Sequence, residues 1–324
     1  MMEEGFWRSL TVDELSAGWR VDYYLSRRFP RYSRTQIAAY IRSAHIVSER
    51  RNLKSSSRLQ VGERLKLFVP GLAPSGPPPA PPPIVFENDK LLVVNKPSGM
   101  LVHPAGAAFV WALIGLIRDL YPNDHVDLVH RLDRETSGAV IISKCKATNT
   151  QMKVALQDRQ IHKVYRAIIR GVPSWDEMDL HAPIDYDTRS ELRIRRCVKQ
   201  GGQDSHTTFR VLSRFDELSL VECVLHTGRT HQIRVHLEHL GFPILGDKLY
   251  GQPDSVFIEY MEKGYSAELM QKLRFPRQAL HAHSIDFPQP DGQRQLVHVP
   301  LWSDMMTVIE AGHVPNALME VPKC

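Results

Sequence analysis

Residues able to do chemistry collect in a few short stretches. VHRLDRETSGAVIISK (129–144) sets one acid, Asp133, between Arg131 and Arg134, then turns at Thr136-Ser137-Gly138 into an apolar run. HKVYRA (162–167) places Tyr165 among cationic residues, and TGRTHQIRVH (227–236) carries Arg234. A carboxylate beside guanidinium groups is either half of a structural ion pair or a group that must stay ionised because it attacks something. Tyr165 on a strand reads equally as half-core packing. Arg234 alone reads as an exposed arginine one turn from Leu237.

Other chemistries find less support. His226, His231, His236 and His239 crowd one region, and a zinc site would want two or three such ligands on one face with an acid or thiol nearby. His231 and His236 are five apart and face different sides of a helix, and neither HExxH nor a paired CxxC occurs. No metal is expected. GxGxxG, GxxxxGK[ST] and GxSxG are all missing, so no nucleotide cradle or serine nucleophile is expected, and no cofactor.

The elements that must position these residues follow from patterning. IVFENDKLLVVNKP reads as a hairpin around Asn88-Asp89. LVHRLD and AVIISK read as strands flanking the Arg134–Gly138 turn. If the first of them continues to Asp133, Arg131 shares the face of Asp133 and Arg134 points away. Lys146 to Gln160 is a polar helix, and HKVYRAIIRG is strand-like. HTTFRVLSRF and LSLVECVLHTG form a hairpin around Asp216-Glu217. RTHQIRVHLEHLG is a helix with Ile233, Leu237 and Leu240 on one face and Gly241 as its stop. ALHAHSIDF and QLVHVP are late strands. Strands dominate and pair with neighbours, so the fold class is α+β, with a largely antiparallel mixed sheet and flanking helices.

A separate unit precedes this domain. From Gly18 to Pro70 there are 12 Lys and Arg against 3 Asp and Glu. The whole chain sums to only +5, so its basic character belongs to one small region, which suggests a polyanion-binding module. SRTQIAAYIRSAHIV reads as an amphipathic helix with Ser33 as N-cap and Ile37, Tyr40 and Ile41 on one face. VGERLKLFVP alternates as a strand. The region reads either as a solvated basic face on a small α/β unit or as an RNA-binding domain, with Arg31, Arg34 and Arg42 as contact candidates. PGLAPSGPPPAPPP (70–83) holds 8 of the 22 prolines and reads as a semi-rigid spacer. The expected organisation is therefore a basic domain over 1–70, a linker over 71–83 and a catalytic domain over 84–324. Four cysteines without CxxC spacing suggest free thiols in a reducing compartment. The start MMEEGFWRSL has no apolar signal core, and the run VWALIGLI is far short of the roughly 20 residues that span a bilayer. A cytoplasmic, monomeric protein without a membrane is expected.

Taken together, the stretches cease to be ambiguous. HRLDRETSG, preceded by NKPSGMLVHP and followed by HKVYRA and HTGRTHQIRVHLEHLGFPILGDKLYG, resembles the RluA-type pseudouridine synthase family. The resemblance covers nearly all of 84–310, including FPRQALHAHSIDF and VHVPLWSDM. The basic unit resembles a small RNA-binding domain of the ribosomal-protein type. The family isomerises uridine within RNA without metal or cofactor. The resemblance implies Asp133 as the essential carboxylate, Arg234 as its partner cation, Tyr165 as the aromatic stacked on the target uracil, and Arg131 as the group filling the space left by the flipped base. Ribosomal RNA of the large subunit is the first expected substrate and transfer RNA the second. A non-catalytic RNA-binding or ribosome-assembly factor on the same fold is the remaining alternative. The family's loop before the next helix is replaced here by AGAAFVWALIGLI, which puts that loop's geometry, not the site, outside the pattern.

Overall fold

The computed structural model describes residues 5–28, 32–70, 79–103 and 112–322. The chain divides into two compact units, Met1–Ala80 with His103–Gly115 and Pro81–Val102 with Leu116–Cys324.

The first unit contains β1 (Gly5–Thr11), α1 (Val21–Arg28), α2 (Arg34–Arg42), β2 (Ile46–Ser48) and β3 (Arg64–Pro70). Its three strands are ordered β1-β3-β2, both pairings antiparallel. β1 lies in the acidic N-terminal stretch that patterning left unassigned. Ser33 caps α2 in a capping box. Its hydroxyl accepts from the Gln36 amide at 3.2 Å, and Gln36 Oε1 accepts from the Ser33 amide at 2.9 Å. Val21, Leu25, Ile37, Ile41 and Leu65 form the core. Tyr40 is not part of it: it is exposed and meets Tyr32 and His45 edge-on.

Asp22 anchors this unit. It is 5% exposed and accepts from Arg20 at 3.0 Å and Arg34 at 2.9 Å. The Arg20 hydrogen bond, followed by that of Arg34, outweighs burial and brings the Asp22 carboxyl down to about 2. A carboxylate depressed on folding adds stability above its unfolded pKa and loses it as pH falls through the folded value. Asp22→Asn is therefore expected to cost about 2 kcal/mol at pH 7. Denaturant titration of the full chain checks this, and the difference from wild type should close between about pH 4 and pH 2.

The second unit carries β4 (Ile84–Glu87), β5 (Leu91–Lys96), β6 (Asp127–Leu128), β7 (Ser137–Ser143), β8 (His162–Arg170), β9 (Glu177–His181), β10 (Ile184–Tyr186), β11 (Arg196–Val198), β12 (His206–Arg214), β13 (Leu218–Leu225), β14 (Leu280–Pro288) and β15 (Arg294–His298). The helix α3 (Leu113–Leu120) precedes β6, and α4 (Lys146–Gln157), α5 (Gln232–His239), α6 (Asp254–Lys263), α7 (Ala267–Leu273) and α8 (Ser303–Ala311) follow β7 in the chain. Ten strands form one sheet, ordered β4-β5-β7-β14-β8-β13-β12-β9, with β15 on β14 and β6 on β7. Only β7 and β14 run parallel among these pairings. This is the expected α+β class with a largely antiparallel mixed sheet. β7 is buried along its whole length, and β5 likewise, so both read as continuous apolar runs. Among the described residues, no helix is long and apolar enough to cross a membrane.

One expectation fails here. β6 ends at Leu128, and residues 129–136 form a loop. The apolar spacing of LVHRLD comes from loop side chains turned inward, Val129, His130 and Leu132, not from strand alternation. The alternation argument for Arg131 and Arg134 therefore does not apply.

Candidate active site

The 129–136 loop presents Asp133, and its neighbours hold it from four sides. His130 turns inward, where its Nε2 accepts from the Ile141 amide at 3.1 Å. Burial first, then Lys163, bring His130 down to about 3, so it is a neutral acceptor. Lys96, completely buried at the end of β5, donates to the carbonyls of Pro97, Met100 and Arg134 at 2.9, 3.0 and 3.0 Å. Burial and then Arg277 push Lys96 down to about 7. Three carbonyls meet its three ammonium protons, which holds the cation beneath the loop. Glu135 accepts from Lys248 at 2.7 Å and from the Gln278 amide at 3.2 Å. Gln278 also donates to the Thr136 hydroxyl at 2.5 Å. Arg134 donates to the Gly99 carbonyl at 3.1 Å, so it ties the loop to 97–100. Gly138, the second residue of β7, has φ +108°, and a Cβ there would lie 2.3 Å from the Ala282 carbonyl oxygen. Only glycine permits the parallel β7–β14 pairing that ends this loop.

Asp133 receives its partner from α5. Arg234 Nη1 donates to Asp133 Oδ2 at 3.0 Å. The other edge of the guanidinium grips Asp247 at 2.7 and 2.9 Å, and the plane lies 4.8 Å from the centre of the Tyr250 ring. Asp247, 1% exposed, also accepts from the Leu249 and Tyr250 amides at 2.9 and 3.1 Å. Asp133 keeps 34% of its side chain exposed. Its Oδ1 makes no hydrogen bond among the described residues. Burial pulls the Asp133 carboxyl upward, but His231 and Arg234 more than offset this and hold it below the usual carboxylate range. His231 itself is pushed to about 4 by burial and then by Arg234, so at neutral pH the standing cation is Arg234.

Tyr165 lies on β8, in register with Cys223 of β13 and Ala282 of β14, and is buried. Burial and then the Asp133 charge push its phenol well above the ordinary tyrosine value. Leu132 and Ile233 are also buried.

The chain that carries this geometry has known relatives. The chain is 32% identical over 313 residues to the ribosomal large subunit pseudouridine synthase D of Xanthomonas campestris, covering 94% of this chain and 92% of the relative. The chain belongs to the RNA pseudouridylate synthase family. It is an isomerase acting on RNA. Residues 90–239 match the family's sequence profile. An uncharacterized RNA pseudouridine synthase of Bacillus subtilis is 31% identical, covering 93% of this chain and 96% of the relative. The solved structure of human RNA pseudouridylate synthase domain containing 4 aligns with TM-score 0.56 and 26% identity, covering 70% of this chain and 91% of that one.

The synthase's remaining candidates are scattered. Arg131 is exposed, and its side chain makes no hydrogen bond or ion pair among the described residues. In the first unit, Arg34 gives its guanidinium to Asp22 while 52% of its side chain stays exposed. The basic composition around it suggests a contact arginine and does not reveal this structural pair. Arg42 is exposed at the end of α2, and Arg31 lies outside the described residues.

The four histidines expected in one region are dispersed. His236 is buried, paired with the Thr207 hydroxyl and the Ala182 carbonyl at 2.9 Å each. His239 is exposed at the end of α5. His231 is not in the helix but precedes it. His226 instead stacks on His206, which stacks on His181, with ring centroids 3.9 and 3.6 Å apart. Asp179, His206 and His226 are near enough together for a cation. Their hydrogen bonds argue against one. Asp179 accepts from His206 Nε2 at 2.7 Å and from the Thr208 hydroxyl at 2.6 Å, which leaves Thr208 to accept from His226 Nε2 at 2.9 Å. Both Nε2 atoms thus carry protons and offer no lone pair. Strand alternation puts this row on the sheet face opposite Tyr165.

Sequence reasoning missed Asp247, Tyr250 and Lys96, and weighed His231 only as a metal ligand. Asp247 and Tyr250 are the two that a local signal could have found. Both stand in the LGDKLYG segment. An acid just past a helix stop, in an otherwise apolar stretch, was the available signal.

Proposed function

We propose that this synthase isomerises uridine to pseudouridine in ribosomal RNA of the large subunit, with Asp133 as the essential carboxylate. The observation that carries the reading is the 3.0 Å bond from Arg234 to Asp133 Oδ2, which leaves Oδ1 open at a partly exposed position. The substrate class rests on relatives named ribosomal large subunit pseudouridine synthase D, in Xanthomonas campestris and, at 33% identity, in Neisseria meningitidis.

The reaction breaks the bond from uracil N1 to the ribose and forms one from C5. The C5 proton leaves, and N1 gains one, so the base is isomerised without redox change. A stacked uridine must first be flipped out, at a cost of a few kcal/mol. Arg131, exposed and unpaired beside Asp133 in the chain, is the group to enter the vacated stack. Its planar guanidinium suits both bases and phosphates. Asp133 acts ionised, as nucleophile or base, and Arg234 keeps it so. Tyr165 holds the detached ring by stacking, worth ~1–3 kcal/mol per base. Its raised phenol is protonated at working pH, so it supports the ring as a neutral aromatic. The basic first unit supplies phosphate contacts through Arg42, the exposed part of Arg34 and Arg31, which position RNA without reading sequence. We place this RNA-binding domain over 1–70, the linker over 71–83 and the catalytic domain over 84–324, in a monomeric cytoplasmic protein.

Mapping of pseudouridine in total RNA, from cells with and without the gene, tests the reading. Loss of one or more sites in large-subunit ribosomal RNA is expected. Loss confined to transfer RNA would overturn the substrate, and an unchanged map would leave only a non-catalytic factor.

A further inference from the structure

Resting on the reading of Asp133 as the reacting carboxylate, we propose that His231 is a positioning residue that presents its Nε2 proton to Asp133 Oδ2 and so leaves Oδ1 to react. His231 sits just before α5 in the left-handed region, at φ 60°, and makes no capping hydrogen bond. An N-cap position is normally extended and its side chain normally caps the helix, so this residue forgoes both preferences. Its ring is directed instead to Tyr250, edge-on at 80° with Nδ1 2.8 Å from the phenolic oxygen.

The Tyr250 bond decides which nitrogen carries the proton. Tyr250 is 1% exposed, and its oxygen already accepts from the Arg196 amide at 3.1 Å. Its single hydroxyl proton has no other acceptor among the described residues, so it goes to His231 Nδ1. The neutral imidazole then keeps its proton on Nε2. That nitrogen lies 3.8 Å from Asp133 Oδ2, the oxygen that Arg234 also holds. The separation is too long for a formed hydrogen bond, but a shift of ~1 Å in the partly exposed Asp133 closes it, and catalytic hydrogen bonds commonly tighten only with substrate bound. The charged and titratable groups that bear on His231 are Arg234, Asp133, Asp247, Arg196 and Tyr250. Burial, then Arg234, with Arg196, outweigh the two carboxylates and keep it neutral near pH 7, so it acts as an N–H donor and not as a second cation.

The test compares His231→Ala, His231→Gln and Tyr250→Phe in the full chain, with thermal unfolding and RNA affinity measured for each. Glutamine places an N–H near the reach of Nε2, whereas alanine places nothing there. His231→Ala is expected to lower kcat roughly 10- to 100-fold, the worth of a hydrogen bond to a charged group, with KM for RNA changed less than about 3-fold. The acid limb of its kcat profile should move to higher pH, because Asp133 has lost a donor to its ionised form. His231→Gln should recover at least about tenfold of the loss. Tyr250→Phe should move the limb in the same direction, since the proton is no longer fixed on Nε2. It serves in place of His231→Ala if that variant does not fold. An acid limb that coincides with wild type, or a glutamine variant no more active than alanine, would overturn the proposal. Pairing the series with Asp133→Asn separates the two readings. An active Asp133→Asn removes both, whereas an inactive one beside a wild-type-like His231→Ala removes the role of His231 alone.

Discussion

Asp133→Asn is expected to lower pseudouridine formation by at least ~10³-fold, while RNA affinity stays within about 3-fold of wild type. Asparagine keeps the size of the side chain and an oxygen for Arg234 to meet. What it removes is the charge, and both candidate roles of Asp133 need that charge. The fold should barely respond. Arg234 keeps its two bonds to Asp247, and Asp133 is about a third exposed, so the loss of its pairing is screened and expected to be under about 1 kcal/mol. The pH profile gives a second check. Asp133 is held below the usual carboxylate range in the folded protein, so it is ionised throughout the neutral range. Wild-type kcat should stay flat as pH falls and decline only below about pH 4. Single-turnover assays on a uridine-labelled RNA, with binding measured in parallel, read both quantities. Full activity in the asparagine variant would remove Asp133 from the chemistry.

The parts of this site that could be read in advance are those carried by local patterning and by motif. The hairpin of β4 and β5, the strand β8, the hairpin of β12 and β13 and the helix α5 all follow from the runs and spacing of their apolar residues. Asp133, Tyr165 and Arg234 became readable only together, through the order of their motifs. Residues 129–133 read as strand from the apolar content of LVHRLD, but they lie in a loop whose buried side chains, Val129, His130 and Leu132, do not alternate. The hydrogen bonds that hold it come from Lys96, Lys248 and Gln278, distant in sequence, and no local pattern announces such partners. The same limit hid Asp247. A buried acid whose partner is thirteen positions back across a helix end has no period to reveal it. Arg34 was the converse case, where a basic residue in a basic region proved to be committed to a buried acid of its own unit.

The site is thus a chain of charges graded by burial. Asp247 is sealed and doubly bound, Arg234 is buried between two acids, and Asp133 is open on one oxygen. Arg234 therefore serves two masters, and substitutions there should separate its structural from its catalytic work. Arg234→Met removes the only guanidinium hydrogen-bonded to Asp247 among the described residues and strands a carboxylate that is 1% exposed. Breaking a buried pair in this way typically costs about 3–5 kcal/mol, so this variant should show a large loss of stability together with loss of product. Arg234→Lys keeps one positive charge but not the fork that reaches both acids. Its single ammonium is expected to stay with Asp247, the more deeply buried acid, which leaves Asp133 without a cation. That variant should fold with a smaller penalty of about 1–3 kcal/mol, yet lose ~10–100-fold in kcat. The acid limb of its profile should move upward, because Asp133 then titrates nearer to an ordinary carboxyl. Denaturant unfolding and pH–rate profiles on the two variants distinguish these effects. A lysine variant with wild-type kcat and an unmoved acid limb would show that Arg234 matters to this site only through Asp247.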